Sequence, residues 1–129
     1  MSLDAIGISG SGMTLDQTWL NAVSDNLANI NDTTAPGNPA FQERLVEATA
    51  GAGTDGVGTS TQFGSAAGVL VYSPDDPNAN AQGYVKQPTI DMSTQMSDLI
   101  MAQRSYQANS DAVSSARSLY EAALQIGAK

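Results

Sequence analysis

Seven-residue spacing dominates the last third of this chain. Met92, Leu99, Tyr106, Val113 and Tyr120 recur at steps of seven, and three residues after each stand Gln95, Ala102, Asn109, Ala116 and Ala123. The result is a seam of large and small side chains, the spacing that keeps one stripe of an α-helix turned toward a partner. Near the other end Met13, Leu20 and Leu27 repeat the step, with Val23 and Ile30 at the three- and four-residue offsets that hold the same face. Stripes this narrow do not stabilise isolated helices in water, so each needs another helix to cover it. The chain is constrained to open and close with helical arms.

The expected fold is mainly α: two long terminal helices forming a coiled coil, with a small irregular β-containing middle region. Residues 1–35 form the first arm. Its opening is rich in Gly and Ser, and each interior Gly costs a helix about 0.5–1 kcal/mol against Ala, so a frayed start is expected and firm helix only from about Thr14 to Ile30. Asn31 to Thr34 and Pro36 end it. The last arm, 91–129, carries helix from about Asp91 to Ile126 without Gly or Pro, and Gly127 stops it. A helix of that length spans about 54 Å. The first arm cannot cover all of it, so the remainder must meet another chain.

Between the arms, residues 36–90 hold all the prolines and most of the glycines. Short extended candidates are Phe41 to Val46, Val69 to Tyr72 and Gly83 to Lys86, too few and too short for a free-standing sheet of ordinary size. Thr49 to Gly68, built almost wholly of Ala, Gly, Thr and Ser, reads as a flexible loop.

Composition narrows the chemistry. Of 129 residues 41% are hydrophobic and much of that is Ala, so the core is thin. Cysteine and histidine are both absent, which removes disulfides, thiolate chemistry and the commonest general base and metal ligand. Thirteen acidic residues against five basic ones give a net charge of −8 with no basic cluster, disfavouring nucleic acid and anionic membrane surfaces. The first arm carries Asp4, Asp16, Asp25 and Asp32 without a cation, whereas the last sets Asp91, Asp98, Asp111 and Glu121 against Arg104, Arg117 and Lys129. An acidic first arm repels its own copies and tolerates a neutral or basic neighbour. No run reaches the roughly 20 apolar residues of a membrane span, and the opening residues lack the positive segment of a secretory signal.

Weaker motifs resolve toward architecture. Gly51 to Gly56 has the letters of GxGxxG, but no strand precedes it and no helix follows, so a nucleotide site is not expected. Asp76, Asn78 and Asn80 begin like a calcium loop, yet Ala81 and Gln87 stand where Gly and Glu are required. A turn of Asx and Pro residues explains them better. Asp75 and Asp76 in that turn make a poor acid–base pair. Asn109 on the seam is either a register-setting amide or one on a partly wet face. Met92 and Met96 suit adaptable packing. Trp19, off the main stripe, is local core or an interface anchor.

Two stretches carry a resemblance. Ser24, Asp25, Asn26, Leu27, Ala28, Asn29, Ile30 and Asn31, then Asp32 and Thr33, resemble the SxNLANxNT signature of bacterial flagellar rod, hook and related axial proteins, with one insertion before the Thr. Val71, Tyr72, Pro74, Pro77, Ala79, Ala81, Gly83, Tyr84, Val85 and Pro88, followed by Met96, Ile100, Ala102, Arg104, Tyr106, Ala108 and Asn109, resemble the VYxPxxPxAxAxGYVxxP and MxxxIxAxRxYxAN run of the FlgC family of basal-body proximal rod proteins. Gln95, Gln107 and Thr89 depart from that pattern, and residues 34–68 are more acidic and smaller than is usual for it.

The resemblance implies a structural subunit without catalysis or cofactor, exported through the flagellar type III apparatus with no cleaved signal peptide and stacked helically around a central channel. The implied partners are copies of itself, other rod proteins, the distal rod, and the export gate or membrane-ring base. Nucleic acid and small-molecule substrates are not among them. The implied place is the flagellar basal body, in a rod spanning periplasm or cell wall, where it transmits torque. The interface residues selected are Leu20, Val23, Leu27 and Ile30 against Met92, Leu99, Tyr106, Val113 and Tyr120, with Asn26, Asn29, Arg104 and Asn109 as polar register-setting contacts. The rivals are another flagellar axial protein and a secreted coiled-coil effector or adhesin.

Overall fold

The computed structural model describes residues 2–53 and 55–127, with backbone alone at Ser2 and Leu3. Thr54 of the Gly-rich run and Lys129 of the last arm lie outside the described residues. Two helices frame the chain, α1 at Ser2–Ala28 and α2 at Met92–Gly127. Between them come strands β1 (Arg44–Ala50), β2 (Val57–Phe63), β3 (Val69–Tyr72) and β4 (Tyr84–Gln87). They form two separate antiparallel hairpins, β1 with β2 and β3 with β4.

The helices run antiparallel. Gln95, in the first turn of α2, meets Asn26 in the last turn of α1, and Asn109 further along meets Asp16. The side chains of α2 that turn fully inward are the small and polar members of the heptad, Gln95 and Ala102, with Ala22 and Val23 buried on α1. Leu99, Tyr106 and Val113 lie half-buried beside them. The small inward residues let the two backbones approach closely, so the seam is narrow and the larger residues flank it.

Helix α1 begins at Ser2 rather than near Thr14, which corrects the expected frayed start. Gly12 explains the difference: a Cβ there would stand 2.8 Å from Nδ2 of Asn109, so glycine is what allows α2 to close on this turn. Tertiary contact thus outweighs the local propensity cost. The helix also ends at Ala28, two residues early, where the Asn29 side chain donates to the Asp25 carbonyl at 2.7 Å.

A second correction concerns residues 49–68, expected as a loop. Most of them belong to a regular hairpin, in which Arg44 pairs with Phe63 and Ala50 with Val57. The turn between its strands is closed by the Gly51 amide donating to the Gly56 carbonyl at 2.7 Å, with Gly53 and Gly56 at positive φ. The hairpin lies along α1: Val57 donates its amide to Ser11 Oγ at 3.0 Å, and a Cβ on Gly56 would collide with that same oxygen. This packing supplies the order that composition alone does not. The Gly-rich run is therefore a hairpin turn: a strand, β1, does precede it, against expectation, but another strand and not a phosphate-receiving helix follows it.

The second hairpin is tied to the chain that leaves α1. Thr34 exchanges two backbone hydrogen bonds with Lys86, at 2.9 and 2.8 Å, and the Asn78 amide donates to the Thr33 carbonyl. Val85 is fully buried here, and Ala40, whose amide donates to the Ala66 carbonyl, is buried as well. Asp76 and Asn80 spend their side-chain oxygens on the amides of Asn78, Gln82 and Tyr84, as an Asx turn does. Tyr72 and Tyr84 meet edge to face at 5.3 Å between ring centres.

Candidate assembly interface

Three elements converge on Asn26, which is 1% exposed. Its Oδ1 accepts the Arg44 amide at 2.8 Å, and its Nδ2 donates to the Arg44 carbonyl at 2.9 Å and to Oε1 of Gln95 at 3.0 Å. The Gln95 side chain then donates to Glu43 at 2.7 Å. Outside this core, the Arg44 guanidinium pairs with the Asp25 carboxylate. One side chain of α1 therefore fixes the start of β1 and the first turn of α2 together. A buried amide with every partner in place specifies a single register, because a slip by one residue would strand each of those groups.

A second polar contact lies further along the pair. Asp16 is buried, and Asn109 donates to it at 2.8 Å across the helices, over Gly12. Asp91 caps α2: its Oδ1 accepts from the amide and the hydroxyl of Thr94, at 2.7 and 2.8 Å. Those bonds hold its carboxyl below the ordinary value of 3.8.

The residues selected from the sequence divide into three groups. Asn26 and Asn109 sit in the polar contacts just described, and Val23 is core. Leu20, Leu27, Leu99, Tyr106 and Val113 are half-buried along the pair, while Asn29 and Ile30 lie past the end of α1. Met92, Arg104 and Tyr120 face outward. Sequence reasoning did not reach Asp16, Ser11, Glu43 or Arg44. Asp16 was within reach, since it stands seven residues before Val23 and so on the same stripe. The other three offered no local signal.

Among the surfaces left open by the described residues, two lie on the arm pair. An uncharged groove of about 470 Å³ runs between the helices, lined by Gly10, Met13, Thr14, Gln17, Thr18 and Tyr106. Beyond it α2 outruns α1, and every residue from Arg117 to Gly127 is exposed. Leu119, Leu124 and Ile126 stand 72%, 56% and 80% exposed there. An apolar helix end of this kind is what a soluble monomer ordinarily covers.

The profile described as "Flagella basal body rod protein" matches residues 6–36, and that described as "Flagellar basal body rod FlgEFG protein C-terminal" matches 81–126. The two matches fall on α1 with its exit, and on β4 with α2. Among curated proteins, the chain is 35% identical to the flagellar basal-body rod protein FlgC of Escherichia coli, over 97% of each chain. It is 34% identical to that of Salmonella typhimurium, over 97% of each. To that of Bacillus subtilis it is 32% identical, over 95% of this chain and 96% of the relative.

Proposed function

The chain belongs to the FlgC family of flagellar basal-body rod proteins and is a non-enzymatic structural subunit of the proximal rod; from that premise we propose how it is built in. The two helices pair as a coiled coil in the inner layer of a helical stack around the export channel, and the hairpins face outward. The subunit assembles with other flagellar rod proteins in the basal body. Its proposed neighbours are copies of itself, the distal rod, and the export gate or membrane-ring base. It reaches them by type III export with no cleaved signal, in a rod that crosses periplasm or cell wall.

The observation that carries this reading is the overhang of α2, an apolar helix end with no cover among the described residues of its own chain. A subunit that keeps such a surface open is built for contact with a neighbour. The Asn26 junction complements it. Torque passed from arm to hairpin would have to break bonds at Arg44 and Gln95 at once, so the junction resists twisting as a unit.

Tyr106→Asp tests the proposal, because Tyr106 lies half-buried on the arm pair without joining the Asn26 junction. A charge there should abolish rod assembly, read as loss of swimming and of the subunit from isolated basal bodies, while export into the medium continues. Normal motility in this variant would sink the reading.

A further inference from the structure

We propose that the β1–β2 hairpin is a strap latched at Ser11, so that its tip and the opening turns of α1 order and release together as one unit. Two clamps hold the strap on α1. At the base, the Asn26 side chain bonds both the amide and the carbonyl of Arg44. At the tip, the Ser11 hydroxyl accepts the Val57 amide at 3.0 Å while donating to the Ile8 carbonyl at 2.7 Å, so one oxygen joins a helix turn to a hairpin turn. Fifteen positions separate Ser11 from Asn26, about 22 Å of helix. Six separate Arg44 from Ala50, the partner of Val57, which is about 20 Å of strand. The lengths match, so the strap runs along the helix with a clamp at each end.

Between the clamps the strap buries little. Val46, Val57 and Thr59 are half-buried, and every other residue of the two strands is exposed. By the pairing register those three share one face, which is the face laid on α1. Among the described residues, the bond from Val57 to Ser11 is the only hydrogen bond between the tip and α1.

The opening turns of α1 depend on the same contact. Gly7, Gly10 and Gly12 crowd this stretch, where they disfavour helix locally. Gly7 and Gly10 stand in open space and Ala5, Gly7 and Ile8 are exposed, so little packing offsets that cost before Ser11. Gly56, at positive φ, is what lets the latch close, since a Cβ there would run into Ser11 Oγ. A helix start short of its own support and a hairpin tip short of its own core therefore hold each other through one hydroxyl. Coupling of this kind is reciprocal: whatever stabilises either end stabilises the other by the same factor. A neighbour that grips the opening of α1 thereby also sets the hairpin tip, 46 positions away.

Hydrogen exchange of the purified full-length chain, read amide by amide by NMR, tests the coupling. In the parent, residues 8–12 and Val57 should agree in protection within about threefold, at a level at least about tenfold below that of Ala102 in the buried seam. Gly10→Ala adds a helix-favouring methyl that meets no neighbour, and should slow exchange at Val57 by about two- to fivefold, the same factor as at residues 8–12. Gly56→Ala leaves the sequence of α1 unaltered but blocks the latch, and should speed exchange at residues 8–12 by at least about fivefold. Ser11→Ala sets latch against propensity. Alanine is the better helix former, so local preference alone would slow exchange at residues 8–12, whereas loss of the latch should speed it. Val57 unmoved by Gly10→Ala would overturn the proposal, as would residues 8–12 unmoved by Gly56→Ala or slowed by Ser11→Ala. So would a parent in which the two segments differ by more than about threefold, lack protection, or exchange as slowly as Ala102. Gly10→Ala favours the fold, so the proposal stays falsifiable even if the other variants fail to fold.

Discussion

Asn26 and Arg44 hold each other as neighbouring strands would: the Arg44 amide donates to Oδ1 at 2.8 Å and the Asn26 amide donates back to the Arg44 carbonyl at 2.9 Å. The side chain thus acts as a one-residue strand that terminates the edge of β1 against α1. Its second amide hydrogen reaches Gln95, so the same residue joins the two arms.

Replacing Asn26 with Ala should therefore cost more than an ordinary surface polar residue. It orphans the Arg44 amide and carbonyl and the Gln95 oxygen, and each unsatisfied buried group costs about 1–3 kcal/mol. With partial rescue by water near exposed Arg44, a net loss of about 2–3 kcal/mol is expected from urea unfolding. In a double-mutant cycle with Gln95→Ala, the double variant should lose at least about 0.5 kcal/mol less than the sum of the two single losses. Strict additivity would mean that the two residues do not share one network.

The glycines of α1 should separate by position. Gly7 and Gly10 have open space where a Cβ would stand, so Ala at either should stabilise the helix by about 0.5–1 kcal/mol through propensity alone. At Gly12 the same substitution should give no gain or a loss. The new methyl would stand 2.8 Å from Asn109 and displace the donor that satisfies buried Asp16. Thermal unfolding of the three single variants decides it, and a stabilised Gly12→Ala would show that the helices can move apart without penalty.

This contrast also shows what local sequence carries and what it does not. Heptad spacing and the run free of Gly and Pro from 91 to 126 placed α2 to within one residue at each end. The start of α1 was hidden, because the propensity cost of Gly12 is local while its compensation comes from Asn109, on the other arm. Arg44 to Val46 fell within an extended candidate, but residues 47–63 were hidden in the same way. Their many Ala and Gly carry little β signal, and the contact with Ser11 that lays the hairpin along α1 bridges 46 positions. Asn26 was legible as a polar register residue, but its partners Arg44 and Gln95, 18 and 69 positions away, were not.

Asp91 predicts a pH dependence. Its bonds with Thr94 lower its carboxyl in the folded chain, so the contribution is present above the unfolded value of 3.8 and is lost as pH falls through the lower folded value. Asp91→Asn keeps a capping oxygen but does not titrate in this range. The stability difference between parent and variant should therefore be constant near neutrality and should shrink as pH drops below 3.8. A difference that stays unchanged in acid would mean that the capping interaction does not depend on the charge.

Stability and assembly should come apart at the end of α2. Every residue from Glu121 to Gly127 is exposed, so a chain truncated after Tyr120 loses no buried residue among the described ones. Its thermal midpoint should match the full chain within about 2 °C, because removing exposed residues is ordinarily worth less than about 0.5 kcal/mol. Leu124 and Ile126 leave with the segment, and with them the apolar end that the rod contact requires. The truncated chain should still be exported, yet be missing from isolated basal bodies and fail to restore swimming to cells lacking the subunit. Restored swimming would mean that the overhang is dispensable and that assembly runs through the paired arms alone. A large fall in thermal midpoint would mean that this segment packs on its own chain, and the loss of assembly would then be a folding defect.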